Sequence, residues 1–217
     1  MSTPIATSNV RGIGGWAGIL AAVLLVASFL IIGEPPSADA SADEIAAFLV
    51  DSRSVGLLSV LFAALALPLF AVFAGAIRES VSRTVGQGLA GAGAAGGVLF
   101  MFLNALVPAV FFGLAWQDGV VEGMIADIAR AAWSVGNTLY AIAGPVAVLF
   151  LGVAALAGLR GAMSKWQSWA ALVIAAVLLI GTLNLVNSEL GVFGFFGSVL
   201  FAIWILATSI RMLVREE

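Results

Sequence analysis

Among the polar side chains inside or at the rim of long apolar stretches of this 217-residue chain, eight are candidates for function: Asn104, Asn137, Thr138, Tyr140, Thr182, Asn184, Asn187 and Glu189. They are where chemistry is to be sought, because hiding a polar group from water without a partner costs roughly 2–7 kcal/mol. Amides, hydroxyls and a phenol donate and accept hydrogen bonds but do not exchange protons near neutral pH. The chemistry they suit is recognition of a neutral molecule, and the candidate ligand-binding set is Asn104, Asn137, Tyr140, Asn184, Asn187 and Glu189. The competing use is hydrogen bonding between helices, typically worth about 0.6–2 kcal/mol per contact.

What is missing narrows the field further. The chain has no His and no Cys. That removes imidazole acid–base catalysis, thiol chemistry, disulfides and the usual zinc, copper and haem ligands, so neither a metal nor a cofactor is expected. No Asp, Glu, Lys or Arg stands in the middle of an apolar stretch, which leaves a proton relay, a retinal Schiff base or a voltage sensor without its working group. A serine nucleophile would lack a base. Phosphate-binding glycine loops and basic runs that would suit nucleic acid are absent as well. Carboxylates at Asp118, Glu122 and Glu189 are available for surface catalysis, but nothing in their spacing pairs them. No enzymatic activity is expected.

The elements that must position these residues are membrane helices. Hydrophobic residues make up 62% of the chain and charged residues 10%, with mean hydropathy +1.15. Six apolar segments, about 12–33, 55–77, 86–116, 133–159, 166–186 and 190–213, each reach the roughly 20 residues that a helix needs to cross a bilayer. The fold expected is all-α, a single polytopic domain over residues 1–217, built as a six-transmembrane-helix bundle. The third segment is about ten residues too long, so it tilts, kinks at Pro108 or continues beyond the membrane. Pro68 and Pro145 likewise fall inside segments.

Basic residues near membrane spans stay on the cytoplasmic side. Arg11, Arg78, Arg83, Arg160, Lys165, Arg211 and Arg215 fall on one side and only Arg53 and Arg130 on the other, seven against two. Both termini are therefore expected in the cytoplasm of a cell whose plasma membrane the chain crosses. The polar candidates then lie in the outer half of the bilayer. A cleaved leader ending at Ala38-Asp39-Ala40 is the weaker alternative, because the first apolar run exceeds the ~7–15 residues of a leader core.

Outside the spans, Ser41-Ala42-Asp43-Glu44 has the capping-box pattern, followed by Ile45, Phe48 and Leu49 on one helical face. It predicts an amphipathic surface helix over 42–53. Met124, Ile125, Ile128 and Trp133 among Glu122, Asp127 and Arg130 predict another. Ser54-Val55-Gly56 leads into a span with Pro68 and an exit at Arg78, and Ser134-Val135-Gly136 leads into one with Pro145 and an exit at Arg160. The two stretches read as an internal parallel repeat. Small residues at 88, 92 and 96, with Gly93 and Gly97, allow the third span close helix contacts. Trp16, Trp116, Trp133, Trp166 and Trp169 sit near span boundaries as interfacial anchors.

Arg11 before a Gly-rich span, the segment Pro35-Pro-Ser-Ala-Asp-Ala-Ser-Ala-Asp-Glu-Ile-Ala-Ala-Phe-Leu49 and the Arg78 exit resemble bacterial six-pass integral membrane proteins of the domain-of-unknown-function type. The resemblance covers most of the chain and transfers no functional residues. The expected function is that of a structural or accessory membrane protein working through membrane lipids, a homo-oligomer or a partner membrane protein. The alternative is binding or transport of a neutral or lipidic small molecule in a pocket of the outer half.

Overall fold

The computed structural model describes residues 5–37, 40–113 and 126–214. Among these residues seven α-helices follow one another: α1 Ile5–Leu30, α2 Ala42–Asp51, α3 Arg53–Val85, α4 Gln87–Phe112, α5 Ala126–Leu159, α6 Lys165–Thr182 and α7 Gly191–Val214. No strand occurs among the described residues. All except the short α2 are long and apolar enough to cross a membrane, giving six spans.

Helix bounds exceed the lipid-crossing windows where the chain runs on past the apolar layer. α3 continues to Val85 and α5 begins at Ala126. α6 does the reverse: it stops at Thr182, short of the 186 expected, and passes into single 3-10 turns at Leu183–Leu185 and Ser188–Leu190. Asn184, Asn187 and Ser188 lie in this stretch. Short polar side chains offer the backbone alternatives to helical bonding, and the Asn187 carbonyl oxygen takes the Glu189 amide at 3.1 Å.

α2 forms as its capping box dictates. The Ser41 hydroxyl accepts from the Glu44 amide at 3.3 Å, and the Glu44 carboxylate accepts from the Ser41 amide at 2.8 Å. Ile45 and Leu49 bury against Phe112, Ala129 and Trp133. The second amphipathic stretch differs from expectation: residues 126–133 are the opening turns of α5, while Glu122, Met124 and Ile125 lie outside the described residues, as do Trp116, Asp118, Ala38, Asp39 and Arg215.

The spans form a ring in chain order. α1 packs on α3, then α3 on α4, α4 on α5, α5 on α6, α6 on α7, and α7 returns to α1. α3 and α4 are joined through Gly86 alone, whose φ of 87° favours glycine. Inside the ring, Phe70, Phe100, Phe150 and Phe201 are at most 2% exposed. Phe201 meets Phe100 edge-on at 4.9 Å between centroids, and Phe150 meets Phe70 at 5.6 Å. Tilted and edge-on pairs of this kind add attraction beyond area burial. They fill the middle of the bundle and leave recesses at its two ends, here called the α2 end and the terminal end.

The Gly-rich stretch of α4 is spent within the chain. Gly93, Gly96 and Gly97 approach Val153, Leu149 and Phe150 of α5, whereas Gly88 and Ala92 face outward. In the two repeat-like stretches, Gly56 and Gly136 accommodate consecutive rings at the end of α4, Phe112 and Phe111 respectively.

Candidate functional site: a pocket under α2

At the α2 end a cavity of about 230 Å³ lies between α1, α3, α4, α5 and α7, beneath α2. Small-molecule sites usually start near 300 Å³, so this one suits a compact molecule or one end of a longer one. Most of its wall is aromatic and aliphatic, including Phe29, Phe48, Phe111, Phe112 and Phe195. Among the described residues that line it there is no Asp, Glu, Lys or Arg.

Three of the expected residues meet here: Asn104 from α4 and Asn137 and Tyr140 from α5. The other three do not. Because α6 ends at Thr182, Asn184 lies against Gly191 at the α6–α7 turn, and Asn187 and Glu189 are exposed on that turn. Thr138 faces outward and returns its hydroxyl to the Ser134 carbonyl at 2.8 Å, and Thr182 bonds the Leu178 carbonyl at 3.1 Å. Around this cavity two bonds link different helices: the Tyr140 and Ser198 hydroxyls lie 3.2 Å apart, and the Ser59 hydroxyl donates to the Ser28 carbonyl at 2.8 Å.

Asn104 is 4% exposed. Its amide nitrogen donates to the Phe100 carbonyl at 2.9 Å, which fixes the side chain's orientation, since the oxygen could not serve there. The Asn104 Oδ1 is thereby turned away from its own helix and is buried without a donor. Pro108, one turn on and also lining the cavity, has no N–H to give the Asn104 main-chain carbonyl. Asn104 sits eight residues inside the α4 end, about 12 Å at 1.5 Å per residue.

A donor without a partner belongs to the same lining. Trp133, expected as an interfacial anchor, is 4% exposed instead. Its indole stacks on Phe111 at 4.3 Å and meets Phe48 of α2 edge-on at 5.9 Å. The Trp133 Nε1 is buried and has no acceptor. Trp16, Trp166 and Trp169 are 47–62% exposed, as anchors would be.

The pocket therefore offers one unpaired acceptor and one unpaired donor in an uncharged aromatic lining. Ser28 and Ser59 were not singled out from the sequence, and Trp133 and the α2 ring Phe48 were assigned there to an interfacial anchor and an amphipathic face rather than to a pocket. Ser28 and Ser59 are mid-span hydroxyls, a signal present in the sequence; for Trp133 the adjacent capping-box helix that covers it was the available clue. Pro68 and Pro145 are exposed on the outside of the bundle, and of the intraspan prolines in the described helices Pro108 lines the cavity. The chain matches no protein-family model, no curated protein and no solved structure.

Proposed function

We propose that this membrane protein binds a neutral lipidic molecule whose polar head carries a hydroxyl or an amide, held in the pocket beneath α2. One observation carries the reading: Asn104 Oδ1 and Trp133 Nε1 are both buried in the lining of one apolar cavity, and both lack a partner. A hydroxyl or an amide supplies a donor and an acceptor together. Anionic and cationic heads find no counter-charge among the described lining residues. The groups that line it suit binding.

The membrane is inferred to be the plasma membrane of a bacterium, in keeping with the six-pass proteins that the loops resemble. The excess of Lys and Arg at the terminal end argues that both termini lie in the cytoplasm and the pocket in the outer half. Photolabelling with a diazirine-bearing long-chain alcohol tests the binding reading. Adducts are expected on peptides covering 104–112 and 133–140, competed by unlabelled alcohol. Even labelling of lipid-facing positions such as Leu65 and Leu172 would reject it.

A second reading, an accessory protein that docks a partner span or a second copy, draws on a different observation. An open groove of about 560 Å³ runs between α3 and α4 past Ala71, Gly75, Gly91 and Ala95. Small residues permit close helix approach in lipid. A stoichiometric complex recovered in mild detergent and lost on Gly91→Leu would favour it.

A further inference from the structure

The terminal end of the bundle holds a second recess, independent of the pocket beneath α2. Arg11 of α1, Ser80 of α3, Gln167 of α6, and Thr208 and Arg211 of α7 line a cavity of about 110 Å³. One water needs only about 10–15 Å³ of such space, so a tetrahedral oxyanion fits. Two guanidinium groups and no carboxylate line it among the described residues.

Of the neutral polar groups around the recess, Thr208 is left with a proton to donate. Gln167 is 3% exposed and held on both sides: its Oε1 accepts from the Ser164 hydroxyl at 2.6 Å, and its Nε2 donates to the Thr208 hydroxyl at 3.1 Å. Thr208 thus accepts from Gln167 and keeps its own proton to give. Ser80 spends its proton on the Ala76 carbonyl at 2.9 Å. The Arg211 Nε is buried and has no acceptor among the described residues. A guanidinium is always charged and presents its N–H groups as a planar fork, so a buried, unanswered Nε–H asks for an anionic acceptor.

We propose that this recess binds a phosphate group, with the Arg211 fork, the Arg11 guanidinium and the Thr208 hydroxyl as its donors. Arg is suited to phosphate because two parallel N–H groups match two phosphate oxygens. Carboxylate ligands fit the fork as well but leave the third donor unused. The phosphate belongs either to an anionic phospholipid at the membrane surface or to a soluble phosphate compound.

Two arms separate those sources. In the first, the purified protein in phosphatidylcholine nanodiscs containing phosphatidylglycerol is released into native mass spectrometry, and retained phosphatidylglycerol is counted. In the second, inorganic phosphate and pyrophosphate are titrated calorimetrically against the protein in neutral detergent. Arg211→Gln and Arg11→Gln are expected to lower retention or affinity at least ten-fold in one arm. Arg211→Lys, which keeps the charge but loses the fork, is expected to recover only part of it. Arg78→Gln and Arg160→Gln, at the same end but outside the recess, should change little. A response in the first arm assigns the phosphate to a lipid, and one in the second to a soluble compound. Equal effects of all four Gln variants, or no binding in either arm, would overturn the proposal. Arg11 is exposed, so its variant remains informative even if Arg211→Gln misfolds.

Discussion

Trp133 lies stacked on Phe111, their ring centroids 4.3 Å apart and their planes 25° from parallel, while the indole N–H points to no acceptor. The stacking holds the ring; the buried N–H without an acceptor costs the empty fold about 1–3 kcal/mol, a cost that Trp133→Phe removes together with part of the ring's packing. Trp133→Phe is therefore expected to leave the thermal stability of ligand-stripped protein within about 1 kcal/mol of the parent. Losing one hydrogen bond of about 0.5–1.5 kcal/mol weakens binding of a long-chain alcohol roughly 2- to 12-fold. Unchanged affinity by competition photolabelling would remove the indole from the site.

Asn104 carries the same penalty without a large ring to lose. An unsatisfied buried acceptor costs about 1–3 kcal/mol, and Leu has nearly the same bulk. Asn104→Leu is expected to raise the stability of ligand-free protein by about 1 kcal/mol while abolishing the stabilisation that added alcohol gives the parent. The two quantities come from thermal unfolding in detergent with and without ligand. A variant destabilised when empty would mean that Asn104 has a structural partner and serves the fold rather than the ligand.

Gly181 of α6 meets the backbone of Gly194 of α7, so that a methyl at position 181 would fall on main-chain atoms. Backbone cannot swing aside as a side-chain tip can, and overpacking costs about 1–3 kcal/mol. Gly181→Ala should lose that much stability. Gly75→Ala, where nothing lies within 4 Å, should be neutral or slightly stabilised by its greater helix propensity.

Orientation is readable by cysteine labelling, because the native chain contains no Cys. Glu34→Cys and Glu189→Cys are expected to react with an impermeant maleimide added to intact cells. Arg83→Cys and Arg160→Cys should react only after the membrane is opened. All four positions are exposed, so the reverse pattern would invert the topology and move the pocket to the cytoplasmic half.

Span number, the amphipathic helix α2 and the absence of charge within the spans were legible in the residues themselves. Each follows from local rules: hydrocarbon thickness sets segment length, and a capping box acts over three residues. Half of the candidate site was legible too. Asn104, Asn137 and Tyr140 belong to helices that continue well past them, so their depth followed from counting residues. Asn184, Asn187 and Glu189 did not, because the end of α6 was decided by a competition between helix bonding and local side-chain turns that apolar periodicity does not register.

Only the tertiary structure decided which of these side chains share a cavity. Each helix turns about 100° per residue, so whether Asn104 and Trp133 line one cavity depends on how α4 and α5 are rotated against each other. That rotation is set by close contacts such as Gly97 on Phe150 and Gly136 on Phe111. The closure of α7 on α1, which brings Arg11 and Arg211 to one recess, joins residues 200 positions apart. Composition dictated the solvent in which the chain folds; rotation and closure of the ring dictated where its unpaired hydrogen-bonding groups would be gathered.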